Sequence, residues 1–287
     1  MVTAKDYALH KPTWCPGCGD FGILKAMQTA CVNLGLEPHQ VVLVGGIGCS
    51  GKITDYFKAY GFHGVHGRIL PLAIGIKLAN RDLTVIGAGG DGDGYSIGGN
   101  HFLHAIRRNL DITYIVFDNG VYGLTKGQSS PTSEKGYKTK ASPYGVTEEP
   151  MHPLSTALSC SISFLAQGFS GNVKQLTGLI EEAVKHKGFS LLNVFTPCVT
   201  YNHVNTYEFY RENIVNLDES PDYDPADRGK ALEAVMDFSK VYTGIIYVQQ
   251  KPSYEELLPN FPEAPLAKLD IAGDKPDWRK VFLEEFA

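Results

Sequence analysis

The sequence predicts an α/β fold, a mainly parallel sheet with helices on both faces, and three observations carry the prediction. Short apolar runs, several rich in β-branched residues, recur along the chain and mostly end in Gly, Asp or Asn, as strands of a buried parallel sheet do. Helical patterns fall between these runs, the alternation that βαβ units require. Glycine-rich or acidic turns follow the runs, and open α/β sheets hold ligands just past the carboxyl ends of their strands.

Taken in order, residues 20–34 (DFGILKAMQTACVNL) read as a helix and 40–48 (QVVLVGGIG) as a strand that runs into glycines. Residues 70–80 (LPLAIGIKLAN) form the next helical pattern, followed by the strand 83–89 (LTVIGAG) and the helix 97–109 (IGGNHFLHAIRRN). The run 112–118 (ITYIVFD) is a strand closed by an aspartate, and 172–187 (NVKQLTGLIEEAVKHK) is a helix leading into the strand 189–199 (FSLLNVFTPCV). The loops expected to build a site are therefore 45–52, 90–96, 118–130 and 198–203. Residues 125–150 are polar and long for a simple connection, which suggests a lid or binding segment.

At 287 residues the chain corresponds to about two domains, or one large domain with an appendage. A hydrophobic share of 43% against 20% charged residues is ordinary globular composition and excludes disorder and coiled coil. No window approaches the roughly 20 apolar residues of a membrane span. The first residues, MVTAKDYALHKPTWCP, lack the apolar stretch of a secretory signal, so a cytoplasmic chain is expected. The net charge of −5 leaves no basic footprint for nucleic acid.

The charge is uneven. Residues 1–200 carry a net +3 and 201–287 a net −8, and seven of the sixteen prolines fall after residue 220. Prolines break helices and central strands. The composition thus predicts a ligand-binding domain over 1–210, followed over 211–287 by an acidic, Pro-rich segment, either an extended arm at a subunit interface or a small lobe.

Residues 87–92 (GAGGDG) match G-x-G-x-x-G between a strand and a helix, which alone would suggest a dinucleotide fold. Charge argues against it, because Asp91 and Asp93 stand where a pyrophosphate would approach and carboxylates repel phosphate oxygens. A Mg²⁺ ion between them removes the conflict, since it binds through one or two carboxylates plus phosphate oxygens. The next strand ends Asp118-Asn119-Gly120-Val121, and the Asn119 amide oxygen and Val121 carbonyl complete a plausible shell. G-D-G followed by a further strand and Asn resembles the signature of thiamine diphosphate enzymes.

Of six cysteines, disulfides suit neither the compartment nor the size of the chain, so metal ligation is the first expectation. Cys15 and Cys18 form C-x-x-C in a Gly/Pro turn before a helix, where the helix N-terminus favours thiolates. Cys49 and Cys198, each at the end of a predicted strand, are the natural third and fourth ligands. Cys31 and Cys160 read as small core hydrophobes. Spacing does not separate four-cysteine zinc from an iron–sulfur cluster.

Several segments together resemble the β subunit of 2-oxoacid:ferredoxin oxidoreductases, most nearly the 2-oxoglutarate type. They are WCPGCGDFGIL (14–24), GIGCSGK (46–52), HGR (66–68), GDGDGYSIGGNHFLHAIRRN (90–109), DNGVYGLTKGQSSPTS (118–133) and TPC (196–198). The resemblance implies a thiamine diphosphate-binding fold with Mg²⁺ and one [4Fe-4S] cluster. It implies cluster ligation by Cys15, Cys18, Cys49 and Cys198, and Mg²⁺ ligation by Asp91, Asn119 and the Val121 carbonyl. It implies a cofactor lining of Ile47, Gly48, Cys49, Ser50, His66, Gly92, Asp93, Gly123 and Leu124. His66 and Lys52 fall on catalytic positions, Lys52 as a point charge for the substrate carboxylate.

The activity so implied is coenzyme A-dependent oxidative decarboxylation of a 2-oxoacid, giving acyl-CoA, CO₂ and reduced ferredoxin. For 2-oxoglutarate the product is succinyl-CoA; pyruvate or a branched 2-oxoacid is the alternative substrate. No glutamate on the predicted strands fits the aminopyrimidine, and the resemblance implies that a partner α subunit supplies it, so that the site lies in a heterodimer or a dimer of heterodimers. The reading of another class is a non-catalytic, zinc-stapled scaffold subunit.

Overall fold

A computed structural model describes residues 2–259, 262, 264–269 and 283 of the chain. Its centre is a sheet built from β1 (Val41–Gly45), β2 (Tyr60–His63), β3 (Thr84–Gly90), β4 (Ile112–Asp118), β7 (Phe164–Phe169), β8 (Phe189–Phe195), β9 (Ile214–Asn216) and β10 (Val241–Val248). Two further short strands, β5 (Val121–Tyr122) and β6 (Gln128–Ser129), form a separate hairpin. The strand order in the main sheet is β2-β1-β3-β4-β8-β7-β10-β9. All its pairings are parallel except that of β10 with β7.

The four predicted strands form within a residue or two of their expected starts, because their residues alternate between two cores. Leu43, Ile86, Ile115 and Leu192 face one layer. It is covered by α1 (Asp20–Asn33) and α5 (Val173–Lys185), which contribute Ile23, Met27, Leu176 and Ile180. Val42, Val85, Tyr114, Val116 and Leu191 face the other. There α2 (Ile69–Ala79), α3 (Gly99–Arg108), α4 (Pro153–Ser159) and α7 (Arg228–Met236) supply Leu70, Phe102, Leu158 and Ala231. Helices therefore cover both faces, as predicted.

The C-terminal segment corrects the expectation. Residues 207–257 are not an extended arm: α6 (Tyr207–Asn213), β9, α7, β10 and α8 (Tyr254–Leu257) fold onto the sheet. β10 pairs antiparallel with β7 and in parallel with β9, so 210 is not a boundary between separate cores. The described prolines of this segment lie in the connections, and Val241–Val248 carries none, which leaves its backbone free to pair. The expectation for the last residues falls mostly outside the described part of the chain. Among the described residues, no helix is long and apolar enough to cross a membrane.

This strand order places the site. From β1 the chain moves outward to β2, whereas from β3 it moves the opposite way to β4. The crevice between the carboxyl ends of β1 and β3 is therefore a topological switch point, where open α/β sheets bind ligands.

Candidate active site

A cleft opens at that switch point. Its walls are Ile47, Gly48, Cys49 and Ser50 after β1, His66 after β2, and Gly90, Asp91, Gly92 and Asp93 after β3. Asn119, Val121, Tyr122, Gly123, Leu124 and Thr125 from beyond β4 complete it. Every residue predicted to line a cofactor or hold Mg²⁺ is in this wall. Lys52 is not: it lies half-buried in the 3-10 turn Ser50–Asp55, with its ammonium 3.4 Å from the Thr13 hydroxyl.

Asp91 enters the wall where β3 gives way to a π-helical turn, Gly92–Ile97, a local irregularity frequent at functional sites. The side chain is fully buried. Its Oδ2 accepts hydrogen bonds from the hydroxyls of Ser130 (2.5 Å) and Thr132 (2.6 Å). The same Thr132 hydroxyl lies 2.7 Å from Oδ1 of Asp118, whose Oδ2 accepts from the Asn193 amide at 3.2 Å. One hydroxyl hydrogen cannot serve two carboxylates, so the Asp91–Asp118 pair calls for one more positive charge. Burial, then the neighbouring charge of Asp118, pushes the Asp91 carboxyl up to about 7, and burial likewise raises Asp118. A divalent cation at Asp91 answers that imbalance, and the Asn119 oxygen and the Val121 carbonyl, both in the wall, are hard donors suited to Mg²⁺.

The turn that presents those donors is fixed from both sides. Asn119 Oδ1 accepts from the Val121 amide at 3.0 Å, and the buried Asn202 donates to the Asn119 carbonyl at 2.9 Å. Tyr122 donates its hydroxyl to the Gly92 carbonyl at 3.1 Å. A Cβ on Gly92 would stand 2.2 Å from the Tyr122 ring, so only glycine admits this contact.

Asp93 ties two loops of the wall together. Its Oδ1 accepts from the backbone amides of Ile47 and Gly67, each at 2.9 Å, while the buried Oδ2 has no partner among the described residues. Nδ1 of His66 is 2.9 Å from the same Oδ1, close enough for an ion pair with a protonated ring but not aligned as a hydrogen bond. His66 is 38% exposed on the cleft side, so the imidazole is backed by a carboxylate and open towards whatever fills the cleft.

The four predicted cluster cysteines come from segments that the fold brings to one place. Cys15 and Cys18 form a turn closed by the Cys18 amide on the Cys15 carbonyl (3.0 Å), with Gly17 at φ +82°. The Trp14 indole donates to the Cys49 carbonyl at 2.7 Å, and the Gly19 amide to the Pro197 carbonyl at 3.2 Å. A Cβ placed on Gly123 would be 3.6 Å from the Cys49 sulfur and 3.7 Å from that of Cys198. Burial, then the charge of Asp20, pushes the Cys49 thiol up to about 11 and raises Cys18 further, with the other thiols adding to both. Crowded thiols in such surroundings become thiolates only when a cation replaces their protons.

One zinc would draw its four sulfurs to about 2.3 Å from a common centre. Among the described residues, no three His, Cys, Asp or Glu side chains are gathered round a single ion. A four-iron cluster binds each thiolate through a different iron, and a set of four thiols suits either such a cluster or a single zinc. Cys31 is buried in the core and Cys160 packs half-buried against the other layer, as expected of small hydrophobes.

Sequence reasoning missed Ser130, Thr132, Asn193 and Asn202, whose roles depend on partners far away in the chain. It read Asp118 only as the end of a strand. A dense run of hydroxyls in SSPTS (129–133) was the one available signal.

The sequence model of a family described as "Thiamine pyrophosphate enzyme, C-terminal TPP binding domain" matches residues 46–194. A second model, which describes the C-terminal part of the pyruvate ferredoxin oxidoreductase β chain, matches 198–263. The chain is 52% identical over 214 residues to "2-oxoacid:ferredoxin oxidoreductase subunit beta" of Saccharolobus solfataricus, covering 74% of this chain and 70% of the relative. It is 42% identical over 290 residues to "2-oxoacid:ferredoxin oxidoreductase 2, subunit beta" of Aeropyrum pernix, covering 95% and 92%. A solved 2-oxoglutarate:ferredoxin oxidoreductase from Magnetococcus marinus, with 2-oxoglutarate, coenzyme A and succinyl-CoA bound, superposes with a TM-score of 0.86 at 40% identity, covering 89% of this chain and 88% of that one.

Proposed function

The chain belongs to the family of 2-oxoacid:ferredoxin oxidoreductase β subunits, and on that premise we propose that it serves 2-oxoglutarate, with thiamine diphosphate, Mg²⁺ and one [4Fe-4S] cluster as its cofactors. The observation that carries the proposal is the position of Cys49. It belongs to the cleft wall that also holds Asp91, Asn119 and Val121, and its sulfur faces the same glycine as that of Cys198. A cofactor in the cleft and a cluster on the cysteines would share this residue as a common wall.

In this reading Asp91, Asn119 and the Val121 carbonyl hold Mg²⁺, which neutralises the diphosphate against the acidic turn. Ile47–Ser50, Gly92, Asp93, Gly123 and Leu124 line the cofactor. Thiamine diphosphate bound there would supply a carbon nucleophile and an electron sink, and a cluster on the four cysteines would supply one-electron redox chemistry. His66, backed by Asp93, stands on the open side of the cleft where it can hold or pass a proton. Lys52, beside Thr13 and outside the cleft wall, is the candidate cation for the substrate carboxylate.

The described residues that line the cleft include no glutamate. The carboxylate that activates the aminopyrimidine is therefore assigned to an α subunit, and the chain acts within a heterodimer that accepts coenzyme A. The acidic segment beyond residue 210 is the candidate for contact with that partner.

The test is an anaerobic assay of the complex with coenzyme A and ferredoxin, comparing 2-oxoglutarate, pyruvate and a branched 2-oxoacid. The proposal expects the highest kcat/KM with 2-oxoglutarate. Preference for pyruvate or a branched acid would overturn the substrate assignment, and a colourless protein containing stoichiometric zinc would overturn the cluster.

A further inference from the structure

We infer that Ser130 and Thr132 are positioning residues that set the Mg²⁺ ligand Asp91 and close the β5–β6 hairpin over the cleft. The inference rests on the cofactor assignment above and adds a control element to it. Both hydroxyls donate to the same oxygen of Asp91, Oδ2, at 2.5 and 2.6 Å. Neither hydroxyl reaches Oδ1, which the inference assigns to the cation, so the two donors set both the rotamer and the ligating atom.

The hairpin is fastened to this carboxylate at its second foot, and its first foot is tied to the second. Its first foot, Asn119–Val121, carries the two other Mg²⁺ donors. Its second foot is Ser130–Ser133, immediately after β6. Ser133 ties the feet to each other: its hydroxyl donates to the Gly120 carbonyl at 2.5 Å and accepts from the Ser130 amide at 2.8 Å. Ser130 and Ser133 are 7% and 5% exposed, so water does not compete for these bonds. The hairpin tip between the feet carries Gly123, Leu124 and Thr125, which form the cleft wall. A cation at Asp91 would thus grip the first foot while the hydroxyls grip the second, and the wall of the cleft would be set by both.

Ligand-orienting contacts of this kind typically change metal affinity by about ten- to a hundredfold when removed. Thr132→Val keeps the shape of the side chain and deletes the hydroxyl. The complex, stripped of Mg²⁺ with chelator, is titrated with Mg²⁺ at fixed thiamine diphosphate by calorimetry, and the hairpin is probed by limited proteolysis at Lys126. The inference expects Mg²⁺ binding weakened roughly ten- to a hundredfold, cluster absorbance near 400 nm and melting temperature close to those of the parent, and loss of the protection at Lys126 that Mg²⁺ with thiamine diphosphate gives the parent. Thr132→Ser should restore affinity and protection.

If Thr132→Val itself loses the cluster or the fold, Ser130→Ala carries the same test, because Ser130 donates to the same oxygen. Unchanged Mg²⁺ affinity in a folded variant would overturn the inference alone. Failure of the parent complex to bind thiamine diphosphate with Mg²⁺ would instead overturn the cofactor assignment.

Discussion

The indole nitrogen of Trp14 donates to the carbonyl oxygen of Cys49 across 2.7 Å, joining the turn before α1 to the loop after β1. Trp14 is also packed edge-on against Phe21 and Tyr56, so the part-buried bond is flanked by two aromatic rings. Trp14→Phe retains much of the packing and leaves the carbonyl unpaired, a loss of about 1 to 3 kcal/mol. The expected outcome is a lower melting temperature and fewer irons per chain after brief exposure to air. An unchanged iron content would show that this bond does not position Cys49.

Asp93 holds two loops through one oxygen. Removing its carboxylate leaves the amides of Ile47 and Gly67 without their acceptor and takes away the backing of His66. Hydrogen bonds to a charged group contribute about 1.5 to 3 kcal/mol each, so Asp93→Ala should destabilise the chain by about 3 kcal/mol or more in denaturant unfolding. Thiamine diphosphate affinity should fall with it, measured by calorimetry below the unfolding transition. Asp93→Asn keeps one acceptor and should lose less on both counts.

The two cofactor sets should come apart by mutation. Asp91→Ala is expected to abolish thiamine diphosphate binding and leave the brown colour, whereas Cys198→Ala should bleach the protein and leave thiamine diphosphate binding measurable. Indistinguishable losses in the two variants would mean that the cleft and the cysteines form one folding unit.

Much of this architecture was legible because burial writes itself into sequence. β1, β3, β4 and β8 are buried on both faces and so appear as unbroken apolar runs. β2 stayed hidden because it is the sheet edge, with all four residues, YGFH, exposed. β7 (FLAQGF) is interrupted by Gln167, whose burial is met by its amide donating to the Tyr242 carbonyl at 2.7 Å and its oxygen accepting from Asn193 at 3.1 Å. β10 was masked by the prolines around it. At the site, the candidate ligands Asp91, Asn119 and Cys49 were readable as members of one wall since their chemistry is written in their types. The clamp on Asp91 was not, because Ser130 and Thr132 meet it from 39 and 41 residues away and no local pattern records such a contact.

His186 makes stability depend on pH. Its Nε2 lies 2.9 Å from the Ser163 hydroxyl in a buried site, while Nδ1 has no partner among the described residues. Burial lowers its pKa from the usual 6.5, with the charge of Asp111 working the other way. The unfolded chain therefore takes up a proton before the folded one does. Stability is full above about pH 6.5 and is lost as pH falls through that value towards the lower folded one, with a slope of at most about 1.4 kcal/mol per pH unit. His186→Asn should flatten the decline in melting temperature between about pH 7 and pH 5. An equally steep decline in the variant would assign the effect to another group.

The most direct test follows the cluster absorbance near 400 nm in the anaerobic complex loaded with thiamine diphosphate and Mg²⁺. Adding 2-oxoglutarate with coenzyme A should bleach the band, as electrons from decarboxylation would reach the iron assigned to Cys15, Cys18, Cys49 and Cys198. A band that dithionite bleaches and 2-oxoglutarate with coenzyme A leaves untouched would contradict the account, because the cleft and the cysteines would then not share electrons.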